Sequence, residues 1–167
     1  MNRFLLFVIL FACFSFRPWQ SQRFRISGRA QGTTYSITYF AADSFVTKTK
    51  IDSLLGSLDE SLSIYKKASL INKFNESGEG APIDHHLYKV VSKSLEISKE
   101  TNGLFDITVM PLTQAWGFGT NARADPPTKD AIKKLLNCVG SQHLQLENSF
   151  LKKDLACTMI DVNGIAQ

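Results

Sequence analysis

Apolar positions along the chain change their period several times, and each period predicts a different element. Phe4 to Phe14 is an unbroken apolar run behind Asn2 and Arg3. From Arg25 to Ala42 the β-branched and aromatic residues Thr33, Tyr35, Ile37, Tyr39 and Phe40 predict extended structure, interrupted at Gly28 and Gly32. Ile51, Leu54, Leu55, Leu58 and Leu62 then recur at the three-and-four spacing of one helical face. Ala68 to Pro82, rich in Asn, Ser and Gly, predicts a loop. Asp84 is placed to cap a second helix with the stripe Leu87, Val90, Val91, Leu95 and Ile97. Asn102-Gly103 stops that helix, with Gly103 suited to a left-handed C-cap. A third helix is expected from Thr128, behind Pro126 and Pro127, with Ala131, Ile132, Leu135, Leu136 and Val139 as its face and Gly140 as its stop.

The remainder reads as strands. Leu144 and Leu146 alternate with polar neighbours, Asn148-Ser149 turns the chain, and Phe150 begins the return. Cys157 to Val162 predicts a further short apolar strand. Helices and strands mix without a regular βαβ repeat, so the expected class is α+β with mixed helices and antiparallel strands. One domain is expected over residues 25–167, behind a separate segment of residues 1–24.

That first segment reads as an address. A positive start followed by a short apolar run is the layout of a secretory signal, and the run is shorter than the roughly 20 residues that a spanning helix needs. Leu10-Phe11-Ala12-Cys13 resembles a bacterial lipobox, in which Leu10 and Ala12 fit and the bulky Phe11 departs. The expectation is export, with Cys13 lipidated and the chain held at the periplasmic face of the inner membrane. An ordinary signal, an uncleaved anchor and a buried strand are the other readings of the same residues.

Composition narrows the classes. With 167 residues, 44% hydrophobic and 20% charged, the chain can bury a core and is not of the disordered class. Its net charge of +4 comes from Lys and Arg scattered along the sequence, which suits solvated surface rather than the dense basic face of a nucleic-acid binder. No nucleic-acid partner is expected. Cys138 and Cys157 form no metal-binding spacing and read as small core residues, with a disulfide between them open if the chain is exported. His85, His86 and His143 carry no assigned role.

Four segments combine glycine, aromatic, hydroxyl and carboxylate residues in turns: Gln31-Gly32-Thr33-Thr34; Ser63-Ile64-Tyr65 with Ser69-Leu70-Ile71-Asn72; Thr101-Asn102-Gly103-Leu104-Phe105-Asp106; and Asp161-Val162-Asn163-Gly164-Ile165-Ala166. Pro111-Leu112 and Trp116-Gly117-Phe118-Gly119 follow the third. Each alone has a structural reading: Tyr65 closing a helix end, Trp116 and Phe118 anchoring the core. In order and spacing together they resemble the ApbE family of flavin transferases, which use FAD to attach FMN to other proteins, over roughly Gly28 to Gln167.

The resemblance implies a site. Gln31 stands where the family usually has a Met that touches the flavin nucleotide. Tyr65 matches an aromatic that lines the FAD site, where a ring can pack on a ring face. Leu104, Phe105 and Asp106 match the segment that holds FAD, with the Asp106 carboxylate suited to accept hydrogen bonds from adenine or ribose. Asn163 matches a further FAD contact. The backbone carbonyl of Ala166 matches a magnesium ligand, an oxygen of the kind a hard cation takes. Gln167 stands where many members have Lys.

The implied reaction is magnesium-assisted attack of a target protein's Thr hydroxyl on the FMN phosphorus of FAD, with AMP leaving. The acceptors would be Thr-bearing proteins such as membrane-bound flavin redox subunits. The catalytic groups are expected in a C-terminal half beyond Gln167, so this polypeptide alone is expected to be inactive. An FAD pyrophosphatase, a non-catalytic flavin-binding lipoprotein and a remnant without ligand are the competing readings.

Overall fold

A computed structural model describes residues 21–120 and 125–166, so the apolar run, Cys13 and Gln167 lie outside the described residues. The chain forms two compact units, divided between Ser53 and Leu54.

In the first unit, β1 (Gln22–Ala30) and β2 (Thr33–Ala41) pair antiparallel along their whole length, from Gln22 opposite Ala41 to Ala30 opposite Thr33. The sequence predicts one interrupted extended run here. The break falls at Gln31-Gly32, where φ is 52° and 75°. Two left-handed residues in a row match the twist of the flanking strands, which is why such short hairpin loops favour this turn. Gly28 is no interruption: it lies inside β1 opposite Tyr35, and a Cβ there would come within 2.6 Å of the Tyr35 hydroxyl oxygen. Phe24 stacks on its partner Tyr39 at 5.3 Å between ring centres, fixing the register of the apolar face.

Helix α1 (Lys48–Leu62) contains the whole expected stripe from Ile51 to Leu62. Thr47 sets the start, its hydroxyl accepting from the Lys50 amide at 3.3 Å. The carboxylate of Asp52 accepts from both Lys48 and Tyr35. The hydrogen bond from Lys48 first, and that from Tyr35 second, hold this carboxyl below its ordinary range.

The second unit carries α2 (Leu70–Glu76), β3 (Gly80–Pro82), α3 (His85–Glu100), α4 (Met110–Ala115), α5 (Lys129–Leu136), a 3₁₀ turn (Ser141–His143), β4 (Leu144–Glu147) and β5 (Phe150–Lys153). The three strands form one antiparallel sheet in the order β3-β5-β4. The core gathers Ile71 and Phe74 of α2, Leu87 and Val91 of α3, Leu151 of β5, and Ile160 and Val162 beyond it. The expected α+β class with antiparallel strands is the observed one. Among the described residues, no helix is long and apolar enough to cross a membrane.

Three local expectations are corrected, and a fourth, the stop of α3 at Asn102-Gly103, holds with one addition. The stretch 68–82 is not a loop throughout: Ser69 caps α2, Ile71 and Phe74 bury one face of it, and Gly80–Pro82 adds a strand. The addition is that Asn102, directly after the α3 cap, is left-handed at φ 52°, while Gly103 is left-handed as expected, at φ 81°. Their amides bond back to Lys99 and Ser98, the paired pattern that satisfies a helix's last carbonyls. Helix α5 has the expected cap at Thr128 but buries no residue, and Leu136 is exposed. Residues 157–162 form no strand: the Asn75 side chain takes both backbone groups of Ile160 and Lys153 takes the Thr158 carbonyl, while one bridge joins Met159 to Val109 and the Asp161 amide meets the Ile107 carbonyl.

Candidate functional site

The S-x-Y and S-x-I-N pieces build one clamp. Ser69 caps α2 by accepting from the Asn72 amide at 3.3 Å. The Asn72 side-chain amide reaches back to the carbonyls of Ile64 (2.8 Å) and Lys66 (2.9 Å), one on each side of Tyr65. Ile64 is buried, and Tyr65 between those anchors is turned outward, 67% exposed. The Trp116–Gly119 loop comes alongside: a Cβ on Gly119 would meet the Ile64 side chain at 3.7 Å. The Phe118 amide bonds to the Thr113 carbonyl at 2.9 Å, which ties this loop to the end of α4. Trp116 (51% exposed) and Phe118 (68%) are therefore not the core anchors that the residues alone suggest.

The second wall forms where α3 ends. Thr101 accepts from the Phe105 amide at 3.2 Å and donates to the Ile97 carbonyl at 2.8 Å, folding the chain back over the helix end. Leu104 is left 92% exposed at the crest, while Phe105 packs against the core. The Asp161–Ala166 turn lies against it: a Cβ on Gly164 would meet the Phe105 ring at 3.7 Å. The Asp161 amide bonds to the Ile107 carbonyl at 2.8 Å, and the Asp161 carboxylate accepts from the Asn163 amide at 2.9 Å. The Ala166 amide closes the turn onto the Val162 carbonyl at 2.9 Å.

Asp106 has work within the chain. One oxygen accepts from the amide (2.8 Å) and hydroxyl (2.6 Å) of Thr108, and the other accepts from the Ser141 amide at 2.8 Å. Thr108, fully buried, also accepts from the Gly140 amide at 2.6 Å. The carboxylate thus fixes residues 106–108 to the start of the 3₁₀ turn, and only its remaining lone pairs could meet a ligand.

Of the residues expected from sequence, the structure brings Phe105 and Asp106 together with the turn that holds Asn163 and Ala166. It sets Tyr65 beside the loop of Trp116 and Phe118. Gln31 is at the hairpin tip of the other unit, and Cys13 lies outside the described residues.

A further group supports these walls and was not expected. Asn75, buried in α2, donates to the Ile160 carbonyl (2.9 Å) and accepts from the Ile160 amide (2.8 Å). Lys153 is buried too; it donates to the carbonyls of Thr158 (2.8 Å) and Asn75 (3.3 Å) and lies 4.8 Å from the centre of the Phe74 ring. Burial pushes its amine below the ordinary lysine range. Thr158 bonds to the Cys138 carbonyl at 3.0 Å, and Cys138 and Cys157 form a disulfide. The sequence held one hint. Adjacent residues of a strand face opposite sides, so one of Lys152 and Lys153 had to point inward.

Chemically, the two groups of turns expose apolar and aromatic side chains on hydrogen-bonded backbone. That fits a ligand with flat rings. The donor set does not fit a self-sufficient metal site: among the described residues, no group of three or more His, Cys, Asp or Glu could hold an ion.

Residues 31–167 match the ApbE family. A curated relative from Vibrio cholerae serotype O1, an FAD:protein FMN transferase, is 34% identical over 88% of this chain and 46% of its own length. The FAD:protein FMN transferase of Escherichia coli strain K12 is 32% identical over 85% of this chain and 43% of its own. The solved flavin transferase ApbE from Vibrio cholerae superposes with a TM-score of 0.80 at 34% identity, covering 88% of this chain and 50% of that one. The apo flavinyl transferase ApbE of Pseudomonas stutzeri gives the same TM-score at 28% identity. The chain spans about half the length of the relatives it matches. On the match over residues 31–167, with its walls built from the same turns that suggested the likeness, the chain belongs to the ApbE family.

Proposed function

We propose that this chain supplies the FAD-holding part of an FAD:protein FMN transferase. One observation carries the reading: Tyr65, Leu104, Trp116 and Phe118 are all turned to solvent in hydrogen-bonded turns, within the stretch that matches the family. Exposed side chains of this size on rigid turns cost solvation unless a ligand covers them.

In this reading Tyr65 and Leu104 give the flavin nucleotide its apolar walls. Phe105 holds the Asp161–Ala166 turn in place, and Asn163 contacts the nucleotide. Asp106 keeps the wall fixed and offers its spare lone pairs to adenine or ribose. Gln31, in the other unit, is kept as a contact on the family resemblance alone. A target Thr hydroxyl attacks the FMN phosphorus, the diphosphate P–O bond breaks, AMP leaves and FMN remains as a phosphoester. The family's magnesium would take the Ala166 carbonyl as one oxygen ligand; since the described residues gather no group of three or more His, Cys, Asp or Glu, no step is derived from it. The base and remaining ligands are assigned to the part of the relatives that this chain does not match. Export and lipidation at Cys13 belong to the same proposal, since an exported enzyme would meet acceptors at the membrane.

Titration of the chain with FAD, read by flavin fluorescence, tests the first claim. Saturable binding is expected, weakened roughly tenfold by Leu104→Ala or Trp116→Ala, as lost aromatic or aliphatic burial of about 1.5 kcal/mol implies. A folded chain that leaves FAD fluorescence unchanged would overturn it. For the transfer step, the whole reading frame is incubated with FAD, magnesium and a Thr-bearing acceptor. A flavin adduct by mass spectrometry is expected; free FMN without an adduct would replace transferase by hydrolase.

A further inference from the structure

The charge of this protein is unevenly placed. Residues 1–53 carry seven Lys and Arg against two Asp, and the rest of the chain is close to neutral, with 12 basic residues against 13 acidic. Three of the seven are Arg23, Arg25 and Arg29 of β1, all exposed. Positions separated by even steps on a strand share a face, so what reads as scattered charge in the sequence is a stripe on the hairpin, about 20 Å long at the usual strand rise.

The partner strand completes that face without opposing it. Opposite Arg23, Arg25, Ser27 and Arg29 lie Phe40, Thr38, Ser36 and Thr34. Neither strand contains an acidic residue. Among the described residues these arginines make one side-chain hydrogen bond, from Arg25 Nε to Ser36 Oγ at 3.1 Å. Phe40, beside Arg23 on the same face, is 67% exposed. Of the two Asp in this unit, Asp52 is taken by Lys48 and Tyr35, and Asp43 lies past the end of β2. Cationic side chains with an exposed aromatic, and no acid among them, are the composition of a surface that rests on anionic lipid headgroups.

We infer that this hairpin face docks on an anionic phospholipid surface. Chain continuity supports that occupant. Cys13 lies nine residues before Gln22, at most about 30 Å of extended chain, so attachment at the N-terminus would keep the stripe close to a bilayer. This tether rests on the export reading, whereas the charge argument does not, and neither depends on FAD binding.

The test uses the full chain carrying Cys13→Ser, so that acylation plays no part, sedimented with phosphatidylcholine vesicles or with vesicles containing 30% phosphatidylglycerol in 0.1 M salt. Tighter partitioning onto the anionic vesicles is expected, and the triple change Arg23→Gln, Arg25→Gln, Arg29→Gln should remove it, at roughly fivefold per arginine and about a hundredfold in all. The preference should also shrink in 0.5 M salt. Replacing all three by Lys keeps the charge and should keep the preference, which separates charge from folding. Changing Lys129, Lys133 and Lys134 of α5 to Gln should leave partitioning unaltered. Equal partitioning of the wild type on both vesicles would overturn the inference. So would an equal loss in the α5 variant, or tighter binding to a 20-nucleotide oligonucleotide than to the anionic vesicles.

Discussion

Asn75 engages the backbone of Ile160 with both ends of its amide, inside the core. A side chain that replaces a strand partner leaves two buried backbone groups unpaired when it is removed. Asn75→Ala should therefore destabilise the chain by about 2–4 kcal/mol; a urea midpoint shift equivalent to less than 0.5 kcal/mol would contradict that role. Lys153 makes a pH-dependent statement. Its amine is lowered in the fold by burial, so between the folded and unfolded values the unfolded chain binds the proton and the folded chain does not. Stability then rises with pH in that window below about 10.4, and the cost is fully present under the folded value. Wild type should gain on Lys153→Met as pH climbs toward 10, measured by urea unfolding at each pH; parallel curves would show that folding does not shift the titration of Lys153. Neither residue was legible beforehand, because burial of a polar side chain depends on partners far away in sequence.

At the scale of elements, short-range chemistry was read well where caps and periods agree. Asp84 caps α3 by accepting from the Leu87 amide at 2.9 Å, and Thr128 caps α5. Helix α2 escaped because seven residues show too little of a period against a background of Asn, Ser and Gly. Residues 157–162 misled in the opposite direction, since an apolar run looks like a strand even when side chains satisfy its backbone. The Cys138–Cys157 bond fastens that segment to the end of α5 across 19 residues. Reduction should lower stability by about 3 kcal/mol, the chain entropy of a loop of this size, measurable as a shift of the urea midpoint with and without dithiothreitol. An unchanged midpoint would mean that the side-chain hydrogen bonds alone hold the segment. In the hairpin, Gly32 sits at φ 75° with open space around it, so Gly32→Val should cost roughly 1–2 kcal/mol through its backbone alone. Gly78→Ala, also in open space but without positive φ, should stay within about 0.5 kcal/mol.

For the molecule as a whole, the order of turn motifs identified the family because each motif is local: a glycine, a cap or an exposed aromatic keeps its spacing whatever packs around it. The sequence by itself determined the α+β class, two of the helix starts, the β4–β5 return and the family. It did not determine which aromatics were walls and which were core. Tyr65, Trp116 and Phe118 have the same composition as buried anchors, and only the clamp of Asn72 and the folding of the 116–119 loop beside Ile64 turn them outward. Nor did it show that Asp106 ties its own segment to Ser141, or that three separated arginines share one face. Those facts arise from contacts between residues distant in sequence, and from the pairing of one strand with another. Local patterns fix which elements form; tertiary packing decides which of their faces meet the core, the solvent or a ligand.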